Sequence, residues 1–198
     1  MIKIFSNIFS ISHNTDEEGK IVAKFLIGNS MDYMFSDQAT RQGLCPVCHN
    51  LLEQIPDLNA KIKSKKGDLF VTCDGFTLVS QKFKDFCEYR NYPNLTFKEM
   101  TNIPGLYYFK PNDVFRIDTT NIKFFNYKEC CKSFDYIIDD RTKKEPKFVI
   151  TTDDFINRTN ILYGGQQCKF HAVVVGLKTA KLMKDYGLQD IHFGNIYE

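Results

Sequence analysis

Apolar residues fall along this chain in short runs separated by polar turns, a rhythm that predicts many strands and few helices. The run Ile21-Val22-Ala23-Lys24-Phe25-Leu26-Ile27, closed by Gly28-Asn29, reads as a strand. Met1–Phe9, mildly apolar and often interrupted, reads as another, so the first 35 residues are expected to be extended. Residues 36–67 are rich in turn formers. A short strand follows at Leu69–Thr72. Ser80 is placed to cap a helix reaching about Tyr89, with Phe83, Phe86 and Cys87 at helical spacing. Pro93 ends that helix, and Leu95-Thr96-Phe97 resumes an extended segment. Further strands are predicted around Tyr107–Phe109, Val114–Ile117, Ile122–Phe125, Tyr136–Ile138 and Phe148–Ile150. The tail predicts an apolar run at Ala172–Val175, a helix near 177–186, Gly187 as its left-handed cap, and a strand at Ile191–Phe193.

Two stretches of this pattern match. Residues 79–100 and 175–196 align without a gap at an offset of 96. Val79 meets Val175, Phe86 meets Leu182, Leu95 meets Ile191, Phe97 meets Phe193 and Met100 meets Ile196. Each copy spells strand end, amphipathic helix, turn and strand. Such a unit cannot bury its apolar helix face alone, so both are expected to pack on a shared sheet. The fold class expected is α+β, a mainly antiparallel sheet with two related helix–strand units and a zinc-knuckle turn. One domain over 1–198 is expected, and the echo allows two related lobes, about 1–101 and 102–198.

Composition supports a packed interior: 43% hydrophobic and 14% aromatic residues, with 18 Phe and 10 Tyr but no Trp. Lysine and arginine total 26 against 24 acidic residues, a net charge of +2 that argues against a nucleic-acid binder. The basic runs Lys61–Lys66 and Arg141–Lys144 read as solvated turns. No stretch has the roughly 20 apolar residues of a membrane span, and the N-terminus lacks the marks of an export signal. A cytoplasmic, soluble protein is expected.

Seven cysteines, at 45, 48, 73, 87, 130, 131 and 168, fit a reducing compartment better than a disulfide framework. Cys45-Pro46-Val47-Cys48 has the spacing of a zinc knuckle, because two intervening residues let both thiolates face one point. Zinc takes four ligands, so this motif is half a site. Cys130 and Cys131, in a polar turn between two expected strands, are the leading candidates for the other half. They are adjacent, and Ser133 stands where a second spaced cysteine belongs. His49, Cys168 and His171 are the reserve ligands. A closed structural zinc site is expected over a catalytic one.

Enzymatic readings are thin. A nucleophilic Cys168 paired with His13, His49, His171 or His192 has no flanking signature, and Gly164-Gly165 precedes no helix that could bind phosphate. Asp139-Asp140 and Asp153-Asp154 read first as turn punctuation. Exposed Tyr107, Tyr108 or Tyr163 could anchor an interface.

The order of these features resembles the double CXXCG motif proteins and the related polymorphic-toxin immunity proteins of bacteria. It comprises an early Cys-x-x-Cys, a Val-Ser helix–strand unit, Tyr-Tyr-Phe strands, a second cysteine knuckle and a repeated unit ending in Ile-x-Phe, over about 45–198. The chain departs from that pattern at Cys48-His49, where the family has Cys-Gly, and at the contracted pair Cys130-Cys131. The resemblance implies a non-enzymatic protein that binds and silences one cognate toxin protein, with no nucleic-acid or membrane partner. The alternative from another class is a zinc-containing nucleic-acid-binding or regulatory adaptor.

Overall fold

The computed structural model describes residues 19–37, 40–63 and 66–198, so the strand expected at Met1–Phe9 and the residue His13 lie outside the described part. The described residues contain eleven strands in chain order: β1 Ile21–Met31, β2 Leu69–Thr72, β3 Thr77–Ser80, β4 Leu95–Glu99, β5 Leu106–Pro111, β6 Val114–Phe115, β7 Lys123–Lys128, β8 Ser133–Ile138, β9 Ile156–Thr159, β10 Val173–Val175 and β11 Ile191–Tyr197. Two nine-residue α-helices accompany them, α1 Gln81–Tyr89 and α2 Leu177–Asp185.

The expected α+β class is therefore corrected. Strand makes up 38% and helix 12%, so the protein is mostly β, with a curled mixed sheet. Nine strands form one sheet in the order β4-β5-β3-β2-β1-β10-β9-β6, with β11 also on β1; β7 and β8 form a separate hairpin. Two pairings are parallel, β1 with β2 and β6 with β9. Both arise where a long excursion separates two strands and the chain re-enters the sheet in its original direction. Local alternation carries no trace of that direction. Phe148–Ile150 is not a strand either: it runs as a loop that lays Phe148 against the buried Phe115 ring, centroids 5.1 Å apart.

The central device is used twice. β5 lies between β3 and β4, antiparallel to both, so β3-α1-β4 is a crossover with a strand inserted inside it. β1 stands in the same way between β10 and β11. By sequence β1 belongs to the 1–101 half, yet its neighbours here come from the 102–198 half. The two units correspond residue by residue at the offset of 96. Arg90 and Tyr186 cap the helix ends, Tyr92 N–H donates to Cys87 O, and Leu188 N–H donates to Met183 O. Asn91 (φ 55°) matches Gly187 (φ 77°), and Asn94 (φ 56°) matches Asp190 (φ 58°), all left-handed.

Both helices pack on one face of the sheet, burying Phe83, Phe86, Ala180 and Met183 against Leu26, Val79, Val173 and Val175. The Phe86 and Tyr186 rings meet at 5.2 Å where the helices approach. Behind the sheet are two further clusters, one around Phe70, Phe76 and Tyr108 and one around Phe25, Phe115 and Ile196. Large aromatic side chains bury on the order of 150–250 Å² each, which lets so strand-rich a chain exclude water from both faces of its sheet.

The run Arg141–Lys144 also differs from expectation. Lys144 is buried, and its ammonium donates to the carbonyls of Glu145 and Phe148, closing the loop that carries Phe148 to the core. The acidic pairs are structural. Asp139 accepts from Thr142 and Tyr163, while Asp154 takes bonds from Arg90, Tyr92, Lys178 and Thr179 and so ties α1 to α2.

Candidate metal centre

Four cysteines from two distant segments converge. Cys45 and Cys48 lie in the connection between β1 and β2, whose neck is an antiparallel bridge between Leu44 and Leu51. Within it Cys45 N–H donates to Asn50 O at 2.8 Å and His49 N–H to Cys45 O at 2.9 Å, forming a closed knuckle. Cys130 and Cys131 occupy the turn of the β7–β8 hairpin. The four Sγ atoms all lie within 4.8 Å of one another, with Cys45 and Cys130 at 3.8 Å and Cys48 and Cys131 at 3.5 Å. A tetrahedral ion with metal–sulfur bonds of about 2.3 Å requires sulfurs about 3.8 Å apart. This group of thiols can hold a metal ion with little rearrangement.

Each knuckle ends on a left-handed residue directly after its second cysteine, His49 at φ 58° and Lys132 at φ 50°. That conformation favours glycine. His49 thus occupies the backbone position for which the Cys-Gly of the resembled pattern is suited, and its side chain is exposed.

The thiols act on one another's ionisation. Backbone N–H groups of Cys48 and Val47 bring the Cys45 thiol down to about 7, against the effect of burial. Hydrogen bonding to Cys48, burial and the neighbouring Cys45 push Cys130 up to about 12, and burial with Cys48 raises Cys131. One anion forms readily and discourages the next, a conflict that a bound cation removes.

Around the thiols lies a shell with little sequence signal. Asn50 is fully buried, and its amide donates to Asp135 at 3.2 Å and approaches Cys131 Sγ at 4.0 Å. Asp135 is paired with Lys128 at 3.2 Å. Lys169 is only 3% exposed and donates to Ser133 Oγ at 3.0 Å and to Phe134 O. The charge of this buried ammonium is felt at Cys131 and Cys48 and favours their thiolate forms. Asn50 sits next to the knuckle and was within reach of a motif argument. Lys169 is brought in from a distant segment, and nothing in its neighbourhood in the chain marks it.

Of the reserve ligands, His49 stands at the knuckle itself, while His171 and Cys168 lie elsewhere. His171 is part-buried, with Nδ1 at 3.1 Å from Ile161 O and Nε2 at 3.2 Å from an Arg158 N–H. Burial, then the Arg158 charge, push its pKa down to about 4, so the ring is a neutral bridge between them. Cys168 lies with Cys73 and Asp74 near the buried Arg41. Among the described residues, the cluster of Cys45, Cys48, Cys130 and Cys131 is the group whose geometry suits a metal. Tyr107, Tyr108 and Tyr163, considered above as interface anchors, are instead buried.

No family model matches this chain, and no curated protein or solved structure matches it either. The resemblance drawn above therefore rests only on the residues that carry it. Among the described residues no helix is long and apolar enough to cross a membrane.

Proposed function

We propose that this chain is a zinc-stapled, non-catalytic binding protein that neutralises a partner protein in the cytoplasm, in the manner of a bacterial immunity protein. The observation that carries the reading is the convergence of Cys45, Cys48, Cys130 and Cys131 at tetrahedral spacing. Four thiolates suit zinc, and four protein ligands leave it no position for water or substrate, which is the character of a structural site. The same convergence brings together the cysteine pairs on which the likeness to double CXXCG and immunity proteins depends.

What the staple fixes also supports a binding role. It ties the tip of the β7–β8 hairpin to the knuckle loop, and the hairpin presents Phe124, Tyr127, Tyr136 and Ile138 with 38–47% of their surface exposed. Its rings form two sets, Phe124 and Tyr127 around Phe134, and Phe125 stacked on Tyr136. Val47 and Leu52 add exposed apolar surface from the knuckle loop. Grouped exposed aromatics held rigidly are the material of protein interfaces.

Three measurements test the reading. Elemental analysis of the purified chain is expected to give one zinc per molecule, lost in Cys45→Ser and Cys130→Ser. Thermal stability should fall when a chelator is added, because zinc binding free energy is folding free energy. Native pull-down should then recover one protein that is toxic when expressed alone and harmless beside this chain. A zinc-free protein indifferent to both substitutions sinks the staple. Recovery of salt-released nucleic acid in place of a protein turns the function towards the adaptor.

A further inference from the structure

The two helix–strand units share a backbone and differ in charge at corresponding positions. In the first, α1 carries Asp85 and Glu88, and both are satisfied within the unit: Gln81 donates to Asp85, and Lys84 pairs with Glu88 at 2.9 Å. At the offset of 96 these positions are Lys181 and Lys184 in α2. The inserted strands differ in the same sense. Tyr107 stands between Val79 and Glu99, and its hydroxyl bonds to Gln81 and Glu99. At the matching register Lys24 stands between Val175 and Asn195, and its ammonium donates to Asn195.

The result is a cationic cleft between α2 and the β1–β11 edge, about 480 Å³ in volume. Lys24, Lys181, Lys184 and His192 line it above an apolar floor that includes the buried Ala180 and the part-buried Ile191. Among the described residues none of these lysines has an acidic partner within ion-pair distance. Lys184 lies over the Phe193 ring at 5.1 Å. Burial first, then the nearby Lys184 charge, lower the pKa of Lys24. The corresponding cleft of the first unit, lined by Glu88, Leu95 and Phe97, has no such excess.

We infer that the α2 cleft is a docking surface for a carboxylate-rich protein segment carrying an apolar anchor residue, a partner class that rests on the binding-protein reading above. Charge complementarity identifies the occupant: unpaired ammonium groups rim a floor able to take an aliphatic side chain. Nucleic acid fits less well. The cations are few, whereas phosphate-driven binding needs many contacts, and the Phe193 face is already covered by Lys184.

The test is fluorescence anisotropy of the full chain with a labelled synthetic peptide of repeated Glu-Glu-Leu units at low salt. Wild type is expected to bind and to weaken as salt rises. Lys181→Glu with Lys184→Glu should weaken binding by roughly tenfold or more, as attractive contacts become repulsive. Both side chains are exposed, and because Lys184→Glu also loses the Phe193 contact and the favourable end of the helix dipole, the variant's melting temperature should fall by only a small amount, with folding retained. No binding by wild type, or equal binding by the variant, overturns the inference. So does oligothymidine competing as well as the peptide, or self-association that the variant abolishes, which would make a second copy the occupant. Because the probe is synthetic, failure here leaves the pull-down free to support the binding function. Recovery of a neutralised partner that the variant holds equally well would remove only this cleft from the interface.

Discussion

The β3-α1-β4 and β10-α2-β11 units solve one packing problem with two different sets of polar contacts. Their helices span equivalent positions, and their left-handed turn residues and crossing hydrogen bonds coincide. Their helix starts do not. Ser80 caps α1 through its own hydroxyl, which accepts from Phe83 N–H at 3.1 Å. Gly176 stands in its place before α2 and makes no side-chain cap. The carbonyl of Asp153 takes that role, accepting from Lys178 N–H at 3.0 Å, and a Cβ built on Gly176 would lie 2.0 Å from that oxygen. Apolar positions and backbone conformation thus set the unit. The polar chemistry around it is free to differ, and it differs in both the cap and the cleft.

Exchanging the caps breaks this comparison most sharply. Gly176→Ser would give α2 the residue that serves α1, yet it is expected to destabilise the protein by about 2–3 kcal/mol, because the new Cβ overpacks against the Asp153 carbonyl. Ser80→Ala removes a cap worth about 1 kcal/mol together with the hydroxyl that donates to the buried Asp68 carboxylate, so its cost should reach about 2 kcal/mol without any crowding. Denaturant unfolding of the two variants gives the order. A harmless Gly176→Ser would mean that the Asp153 loop yields and that the two starts are interchangeable.

The same distinction explains what could be read from the residues alone. The helices, Ser80 as cap, Gly187 as the left-handed end and the strand after it follow from local spacing, and the structure has them. Cys45 and Cys48 carried a spacing signal, and Cys130 and Cys131 were reached because a half-site needs completion. Strand β9 was missed because Ile156-Asn157-Arg158-Thr159 lacks an apolar run; it is a strand through its pairing with β10 and β6. The mixed sheet was missed because parallel pairing depends on where long excursions return. The buried cations Lys144 and Lys169 were missed because their partners, loop carbonyls for Lys144 and a hydroxyl and a carbonyl of β8 for Lys169, leave no trace in composition.

Asp154 offers a smaller and pH-dependent way to sharpen the contrast, since it serves both helices while belonging to neither. Burial acts to raise its pKa, but bonds from Tyr92, Lys178, Thr179 and Arg90 outweigh it and hold the carboxyl at about 2, below the ordinary 3.8. A folded-state pKa below the unfolded one contributes stability that is present above the unfolded value and lost as pH falls through the folded one. Stability from this group should therefore be complete above about pH 4 and decline towards pH 2. Solvent screening limits it to roughly 1 kcal/mol. In Asp154→Asn the loss should already be present at neutral pH, and the acid limb of the stability curve should be shallower. A curve parallel to wild type would show that the clasp contributes nothing.

The smallest expected effect is a gain, and it carries the comparison to the metal knuckle. Asn91 and Gly187 show two residue types meeting one left-handed requirement at equivalent helix ends. His49 meets the same requirement at φ 58° with a larger side chain, directly after Cys48. A left-handed backbone costs an ordinary residue about 1 kcal/mol or somewhat more, and glycine's extra freedom in the unfolded chain returns part of that. His49→Gly should raise stability by about 0.5 kcal/mol, a small upward shift in melting temperature, with metal content unchanged. On the four-cysteine site proposed above, the exposed imidazole is not needed as a ligand. Loss of metal in His49→Gly would place the imidazole in the coordination sphere and displace one of the cysteines. An unchanged melting temperature with metal retained would mean that the knuckle holds His49 in this conformation without strain.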